Sequence, residues 1–273
     1  MIKKYHRIIT KFLLIFFLKI LSKPLSLFGI KLMPSYDKLR NYNFDYSSSS
    51  RRLIFTPDNN KFFNKIHIDT SLNKSLLCEI GAEKKTNKSP YNKGLRSGFT
   101  GLYSLLFASF QNKKINFAEI GIENNNSAKM WREYFPEATL HFFEYFDEKI
   151  NSAKKDNLQD THYHKIDVRS DQSIIDSFNK TQTTYDVIID DSTHDFQDQI
   201  KIVKNCNKYL KKNGLLIIED IYRFREAHSE LNYYNSLKSL KNLFSEIVFI
   251  ETNHVNNYNA NWKNEKILLF VKK

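Results

Sequence analysis

The sequence predicts an α/β fold: seven strands in a mostly parallel sheet, helices on both faces, an antiparallel last strand, and an N-terminal helical extension. Three observations predict it. From Ile115 onward, short apolar runs alternate with polar segments of helix length, the pattern of a parallel sheet covered on both sides. Almost every run ends in a carboxylate. The last two runs lie too close for a crossover helix of ordinary length, which makes them an antiparallel pair.

The N-terminal region is set apart by charge. Of the formal net charge of +12, residues 1–52 carry eleven basic and two acidic side chains, leaving +3 for the remaining 221 residues. A nucleic-acid footprint over the whole domain is therefore disfavoured. The longest uninterrupted apolar run, Phe12 to Leu18, is far short of the roughly 20 residues that span a bilayer. Lys11 and Lys19 bracket it and no small-residue cleavage site follows, unlike a secretory signal. A helix over residues 1–35 rich in Phe, Leu and Ile beside Lys and Arg suits an anionic membrane surface, on the inner face of the membrane. The alternative is a helix packed on the domain or on a partner subunit in a homo-oligomer. Two cysteines without a CxxC spacing suggest neither a disulfide framework nor a zinc motif, and fit a reduced, cytoplasmic setting.

Domain boundaries follow: a basic amphipathic extension over 1–46, a linker and helical cap region over 47–110, and the α/β domain over 111–273. "SSSSRR" (47–52) reads as a loop, and residues 53–97 carry no clear period. "KKTNKSPYNKGLRSG" (84–98) reads as an exposed loop, and "GLYSLLFASF" (101–110) as a buried helix. The strands are "INFAEIG" (115–121), "ATLHFFE" (138–144), "HYHKID" (162–167), "YDVIIDD" (185–191), "GLLIIED" (214–220), "SEIVFIE" (245–251) and "KILLFVKK" (266–273). Helices start near Ser127, Asp147, Asp171 and Asp195, with another over 230–243.

In an open α/β sheet, ligands bind at the carboxyl ends of the strands. Those ends hold Glu119–Gly121, Glu144, Asp167, Asp190–Asp191 with His194 beyond, and Glu219–Asp220. Glu144 lies 23 residues past Gly121, where a carboxylate accepts ribose hydroxyls; Asp167 stands where adenine would. Taken singly, each acid reads equally as the N-cap of the following helix. The turn "GIENNNS" has neither the G-x-G-x-x-G pattern nor a P-loop lysine, and Glu123 would repel a pyrophosphate. A nucleoside with a zwitterionic tail fits better. Asn tolerates the left-handed region best after Gly, so Asn125 or Asn126 can hold this turn, with an Asn side chain free to bond that tail and Gly121 at the closest approach of backbone to ligand.

Residues 115–220 resemble a class I S-adenosylmethionine-dependent methyltransferase with its Rossmann-like sheet, and more narrowly the macrocin and mycinamicin sugar O-methyltransferase group. "EIGIENNNSAKMW" is similar to that family's E-I-G-V-x-x-G-G-S-x-x-M-W, "VIIDDSTHDFQDQ" to I-I-D-D-G-S-H, and "LKKNGLLIIEDI" to L-x-P-G-G-x-Y-V-I-E-D. "REYFPEATLHFFEYF" matches R-D-Y-F-P-x-A-x-I-x-G-I-D and puts Glu144 at the ribose acid. Upstream, "TNKSPYNKGLRSGFTGLY" resembles T-D-K…H-x-Y-T-x-x-Y with Asn87 for Asp and Ser97 for His; the closing "HVNNYNANWKNEKILLFVKK" resembles a W-x-N-D-K ending.

The resemblance implies S-adenosyl-L-methionine as methyl donor and a sugar hydroxyl, on a small molecule or glycan, as acceptor. It places Glu119, Gly121, Asn125, Ser127, Glu144, Asp167 and Asp190 around the cofactor, and His194 as general base beside Asp191. It also implies Mg²⁺ held by Asp191, Glu219 and Asp220, since crowded carboxylates repel unless a cation or proton intervenes; the alternative is an acidic rim of N-caps and water. Strand alternation keeps Asp190 and Asp191 from facing the same way. His254 and Trp262 stand where they would line the acceptor pocket or simply pack. Two other classes stay open. An NAD-linked sugar-modifying enzyme would want a glycine-rich turn and a Tyr-x-x-x-Lys pair. A non-catalytic methyltransferase fold would scaffold a membrane-associated glycan assembly.

Overall fold

The computed structural model describes residues 20, 54–58, 63–70, 73–92, 97–223, 225–254 and 266–273. Most of the extension expected over 1–46, the 47–52 loop and Trp262 lie outside the described residues. The chain divides into two compact units, Met1–Arg51 and Arg52–Lys273. Every element below belongs to the second. No helix among the described residues is long and apolar enough to cross a membrane.

The strands are β1 (Ile54–Asp58), β2 (Asn64–Asp69), β3 (Asn116–Ile120), β4 (Thr139–Glu144), β5 (Thr161–Lys165), β6 (Tyr185–Asp190), β7 (Leu210–Ile218), β8 (Phe244–Asn253) and β9 (Lys266–Lys272). The helices are α1 (Leu76–Glu83), α2 (Phe99–Leu106), α3 (Asn126–Tyr134), α4 (Asp147–Lys154), α5 (Asp171–Thr181), α6 (Phe196–Cys206) and α7 (Glu230–Leu237). They form one sheet of order β1-β2-β8-β9-β7-β6-β3-β4-β5. Strands β5, β4, β3, β6 and β7 run parallel, and β9 is antiparallel to both β7 and β8.

The seven expected strands are present, each within a few residues of its expected bounds. Two more precede them. β2 pairs in parallel with β8, and β1 covers β2 as an antiparallel edge. Pro57 is tolerated there because an edge strand pairs on one side only.

The helices after β5 and β6 each start on a side-chain cap. Ser170 accepts from Ser173 N at the start of α5, and Asp195 accepts from Gln197 N and Asp198 N at the start of α6. These caps satisfy amides that have no partner in the helix. Two apolar layers then sandwich the sheet. One holds Ile174 and Phe178 of α5, Val203 and Cys206 of α6, and Tyr233 and Leu237 of α7. The other holds α1, α2 and α3 against Phe117, Val187, Ile189 and Ile217. Its centre is aromatic: Trp131 lies 5.0 Å from Phe117, 5.7 Å from Phe107 and 5.7 Å from Phe135. Such pairs add about 0.5–1.5 kcal/mol each beyond burial.

Topology positions the site. The chain leaves β3 toward β4 and β5, then returns across the sheet to β6 and β7. The order reverses between β3 and β6, which opens a crevice at their carboxyl ends.

The opposite face holds a histidine cluster. His141 Nδ1 lies 3.0 Å from His164 Nε2, and the His162 ring is 5.0 Å from that of His141. Burial, then the neighbouring imidazoles, holds His141 at about 4; burial, then His162, does the same for His164. A histidine whose folded pKa lies below its usual ~6.5 is bound by protons first in the unfolded chain. Its contribution is complete above about pH 6.5 and is lost as pH falls toward 4. The urea midpoint should therefore fall between pH 7 and pH 5, and the fall should shrink in a His141→Gln, His164→Gln double variant. An equal fall in that variant would remove these histidines as its cause.

Candidate active site

A cavity of about 670 Å³ occupies the crevice. Gly121, Glu144, Asp167, Asp191 and His194 line it from the strand ends, and Thr86 and Asn87 close it from the segment after α1.

The turn after β3 is built as a left-handed turn. Gly121 has φ +95°, and a Cβ there would stand 2.2 Å from the Asp191 carbonyl oxygen. The glycine is therefore required by the neighbouring β6 turn, not only by a ligand. Asn125 takes φ 65° and precedes α3. Its side chain faces away from the cavity: Nδ2 donates to Asp156 Oδ2 at 2.9 Å and Oδ1 accepts from Tyr163 OH at 3.0 Å. The expectation that Asn125 meets the cofactor with its side chain is corrected here. It holds the loop shape, while Glu123, Asn124 and Ser127 reach the cavity wall.

Glu144 is fixed by backbone amides. Its Oε1 accepts from Tyr145 N at 2.8 Å and Phe146 N at 3.0 Å, and its Oε2 from Ile122 N at 3.3 Å. A carboxylate offers about four lone-pair sites, so hydrogen-bonding capacity remains toward the cavity. Asp167 also faces the cavity, already bonded to Arg169 Nε at 2.8 Å and Nη2 at 3.1 Å. That guanidinium holds the Asp167 carboxyl below its usual range. It also lies 4.6 Å over the Tyr145 ring.

The acids at the ends of β3, β6 and β7 divide in two, and alternation decides how. Glu119 and Glu219 turn toward the α1–α3 layer. Glu119 is fully buried, and its Oε2 accepts from Trp131 Nε1 at 2.8 Å. Glu219 accepts from Tyr103 OH on Oε1 at 2.6 Å and from Lys88 Nζ on Oε2 at 2.5 Å. Burial pushes both carboxyls upward. Asp190 turns to the other layer. Its Oδ1 accepts from Ser192 Oγ at 2.6 Å, its Oδ2 has no partner among the described residues, and burial raises its pKa to about 6. Glu119 and Asp190, expected at the cofactor, do not line the cavity.

Lys88 is the residue that sequence reasoning missed. It lies in the segment expected to be an exposed loop, yet it is 1% exposed. Its Nζ stands 2.6 Å from Asp191 Oδ2, 2.5 Å from Glu219 Oε2 and 3.2 Å from Glu119 Oε1. Burial disfavours the ammonium, but the three carboxylates outweigh it and keep its pKa well above normal. The loop is corrected accordingly: Thr86, Ser89, Pro90 and Ser97 are buried too. The signal was present in the excess of acids, which demanded a cation. For Glu219, Glu119 and Asp191 Oδ2 that cation is the Lys88 ammonium.

His194 sits on the β6–α6 turn with φ 54°. Its Nε2 lies 3.5 Å from Asp220 Oδ2 and 3.9 Å from Asp191 Oδ1, while its Nδ1 is buried without a hydrogen-bond partner among the described residues. Ligand atoms of Asp191, His194 and Asp220 all lie within 4.8 Å of one another. Glu219, expected as a metal ligand, is outside this group because Tyr103 and Lys88 take both its oxygens. His254 is buried against Gly98, where a Cβ would come within 2.4 Å of its ring, and does not line the cavity.

A family profile described as Methyltransferase domain matches residues 123–267. Over 137 residues the chain is 26% identical to the 8-demethyl-8-(2-methoxy-alpha-L-rhamnosyl)-tetracenomycin-C 3'-O-methyltransferase of Streptomyces olivaceus, covering 47% of this chain and 33% of that protein. Among solved structures, MycE methyltransferase of the mycinamycin pathway, in complex with Mg, SAH and mycinamycin VI, superposes with a TM-score of 0.55 at 19% identity. MycE with Mg and SAH superposes equally, with a TM-score of 0.55 at 17% identity. Each covers 73% of this chain and 55% of MycE; these likenesses show a shared fold. The chain thus spans about a third of the curated relative and about half of MycE.

Proposed function

The chain belongs to the methyltransferase-domain family, and from that premise we propose that it is an S-adenosylmethionine-dependent O-methyltransferase acting on a sugar hydroxyl of a glycan or glycoconjugate. One observation carries the reading: Glu144, Asp167 and His194 line the same cavity at the switch point of the sheet. Glu144 receives the ribose hydroxyls and Asp167 the adenine side. Ser127, at the start of α3, faces the amino-acid tail. A cofactor held by these residues would bring its sulfonium methyl to the His194 side of the cavity.

The reaction needs an acceptor oxygen to attack that methyl carbon. The carbon–sulfur bond breaks, a neutral thioether leaves, and the hydroxyl proton passes to His194 Nδ1, the ring nitrogen that does not face Asp220. Asp220, 3.5 Å from Nε2, orients the ring and balances the charge it gains, as a carboxylate does behind a histidine base. The residues present also fit a divalent cation. Asp191 Oδ1 and Asp220 supply the oxygens that Mg²⁺ prefers, and Lys88 takes up the charge of Asp191 Oδ2 and Glu219. Such an ion, when bound, polarises the acceptor hydroxyl.

The polar wall after α1 favours a sugar acceptor. Thr86, Asn87 and Asn92 line the cavity there and offer a hydroxyl and amides, while the lining rings, Phe143, Tyr145 and Phe146, come from β4 and the turn after it, beside the ribose acid Glu144. The name of the tetracenomycin relative, a rhamnosyl 3'-O-methyltransferase, favours the same class. Incubation with methyl-labelled S-adenosylmethionine and a panel of rhamnosides, other glycosides and catechols tests it. Label should enter a sugar hydroxyl. Transfer to catechols alone, or to nothing in the panel, contradicts the acceptor class.

A further inference from the structure

We propose that Lys88 is a positioning residue: its ammonium is the built-in countercation of the acid cluster, and it holds down the affinity of that cluster for a free divalent cation. An ammonium is buried this deeply only when its charge is matched. Lys88 is matched three times over, by Asp191, Glu219 and Glu119, at 2.6, 2.5 and 3.2 Å. Those acids come from the ends of β6, β7 and β3, so one cation joins three strand ends that like charge would drive apart.

The same contacts decide which oxygens remain open. Glu219 is 1% exposed and engaged at both oxygens, by Lys88 and Tyr103. Asp191 is engaged at Oδ2 by Lys88, and its Oδ1 lies toward His194. The residues that still offer ligand atoms within 4.8 Å of one another are Asp191, His194 and Asp220. Ligand number and local negative charge set divalent-cation affinity, and Lys88 reduces both.

The segment carrying Lys88 is pinned in place. Lys88 O accepts from Thr100 N at 3.1 Å, and Ser89 Oγ donates to Cys78 O at 2.7 Å. These bonds hold the segment that brings Thr86 and Asn87 to the cavity wall. The cation-binding consequence stands whichever reaction the cavity carries; only the effect on turnover rests on the methyl-transfer reading.

Titration of Mn²⁺ alone into the wild type, Lys88→Met, Lys88→Gln and Lys88→Arg tests this by calorimetry. The two neutral variants should bind Mn²⁺ about tenfold more tightly or better, because Asp191 Oδ2 and Glu219 are released to it. The arginine variant keeps the charge and should bind like the wild type. Affinity in the neutral variants equal to or weaker than that of the wild type would overturn the proposal, as would an arginine variant that binds as tightly as they do. Lys88→Gln retains hydrogen-bond donors and carries the test if Lys88→Met does not fold. If neither folds in metal-free buffer, refolding with Mn²⁺ reads the same competition: recovery supports the proposal and no recovery overturns it. A failed methyl-transfer assay leaves these readouts intact.

Discussion

His194→Ala should lower turnover by about 10²–10⁴-fold, the usual contribution of a positioned general base, while S-adenosylmethionine affinity stays nearly unchanged. The separation follows from where the ring sits. His194 belongs to the β6–α6 turn and faces Asp191 and Asp220, whereas Glu144 and Asp167 stand at the ends of β4 and just beyond β5. The ion-pair and ring contacts of His194 among the described residues go to Asp191, Asp220 and Tyr222, not to the turn after β3 that would carry the cofactor tail. The variant should also fold normally, because a left-handed φ of 54° is no easier for alanine than for histidine but costs only about 1–3 kcal/mol in either. Single-turnover assays with saturating cofactor separate the two effects. Turnover within a factor of a few of the wild type, or loss of cofactor binding in proportion, contradicts the role.

Glu144→Ala should weaken S-adenosylmethionine binding by on the order of 100-fold or more, since two hydrogen bonds to a charged acceptor are worth about 1.5–3 kcal/mol each. The carboxylate is 6% exposed and is held in orientation by the amides of Tyr145 and Phe146. It needs no rearrangement to receive a ribose diol. Those amides also lose their acceptor in the alanine variant, so Glu144→Gln, which keeps an oxygen for them, is the companion. It should fold like the wild type and still bind more weakly. Wild-type affinity in Glu144→Gln and Glu144→Ala would remove Glu144 from the cofactor site.

How far the fold could be read depended on how each residue is buried. "DVIID" and "LLII" are apolar on both faces because β6 and β7 lie in the middle of the sheet, and continuous apolar runs need no knowledge of partners. "NKIHID" of β2 mixes polar and apolar residues, and its partner β8 begins 180 residues away; nothing local distinguishes it from a loop. Gly121, Asp167, Asp191 and His194, on turns after the strands, and Glu144, at the end of β4, line one cavity, because the carboxyl ends of a parallel sheet face one crevice. Glu119 and Asp190, inside β3 and β6, do not line it. Glu119 and Asp190 are a residue or two from Gly121 and Asp191, yet the pleat sends them into opposite layers. Alternation already required this of Asp190, and the same rule applied to Glu119 would have paired it with α3. Asn125 was read correctly in backbone and wrongly in side chain, since φ is a local property and the direction of an amide depends on Asp156 and Tyr163. Lys88 was hidden by composition. In a chain with 42 lysines and arginines, one more lysine in a polar stretch reads as solvated, although Lys88 falls on the K of the T-D-K motif that "TNK" resembles.

The central claim is that the crevice between β3 and β6 binds S-adenosylmethionine through Glu144. Calorimetric titration of the wild-type protein with S-adenosylmethionine, in parallel with Glu144→Gln, tests it most directly. The account predicts saturable one-to-one binding by the wild type and weakened binding by the variant. No binding by the wild type, or equal binding by the two, would contradict it.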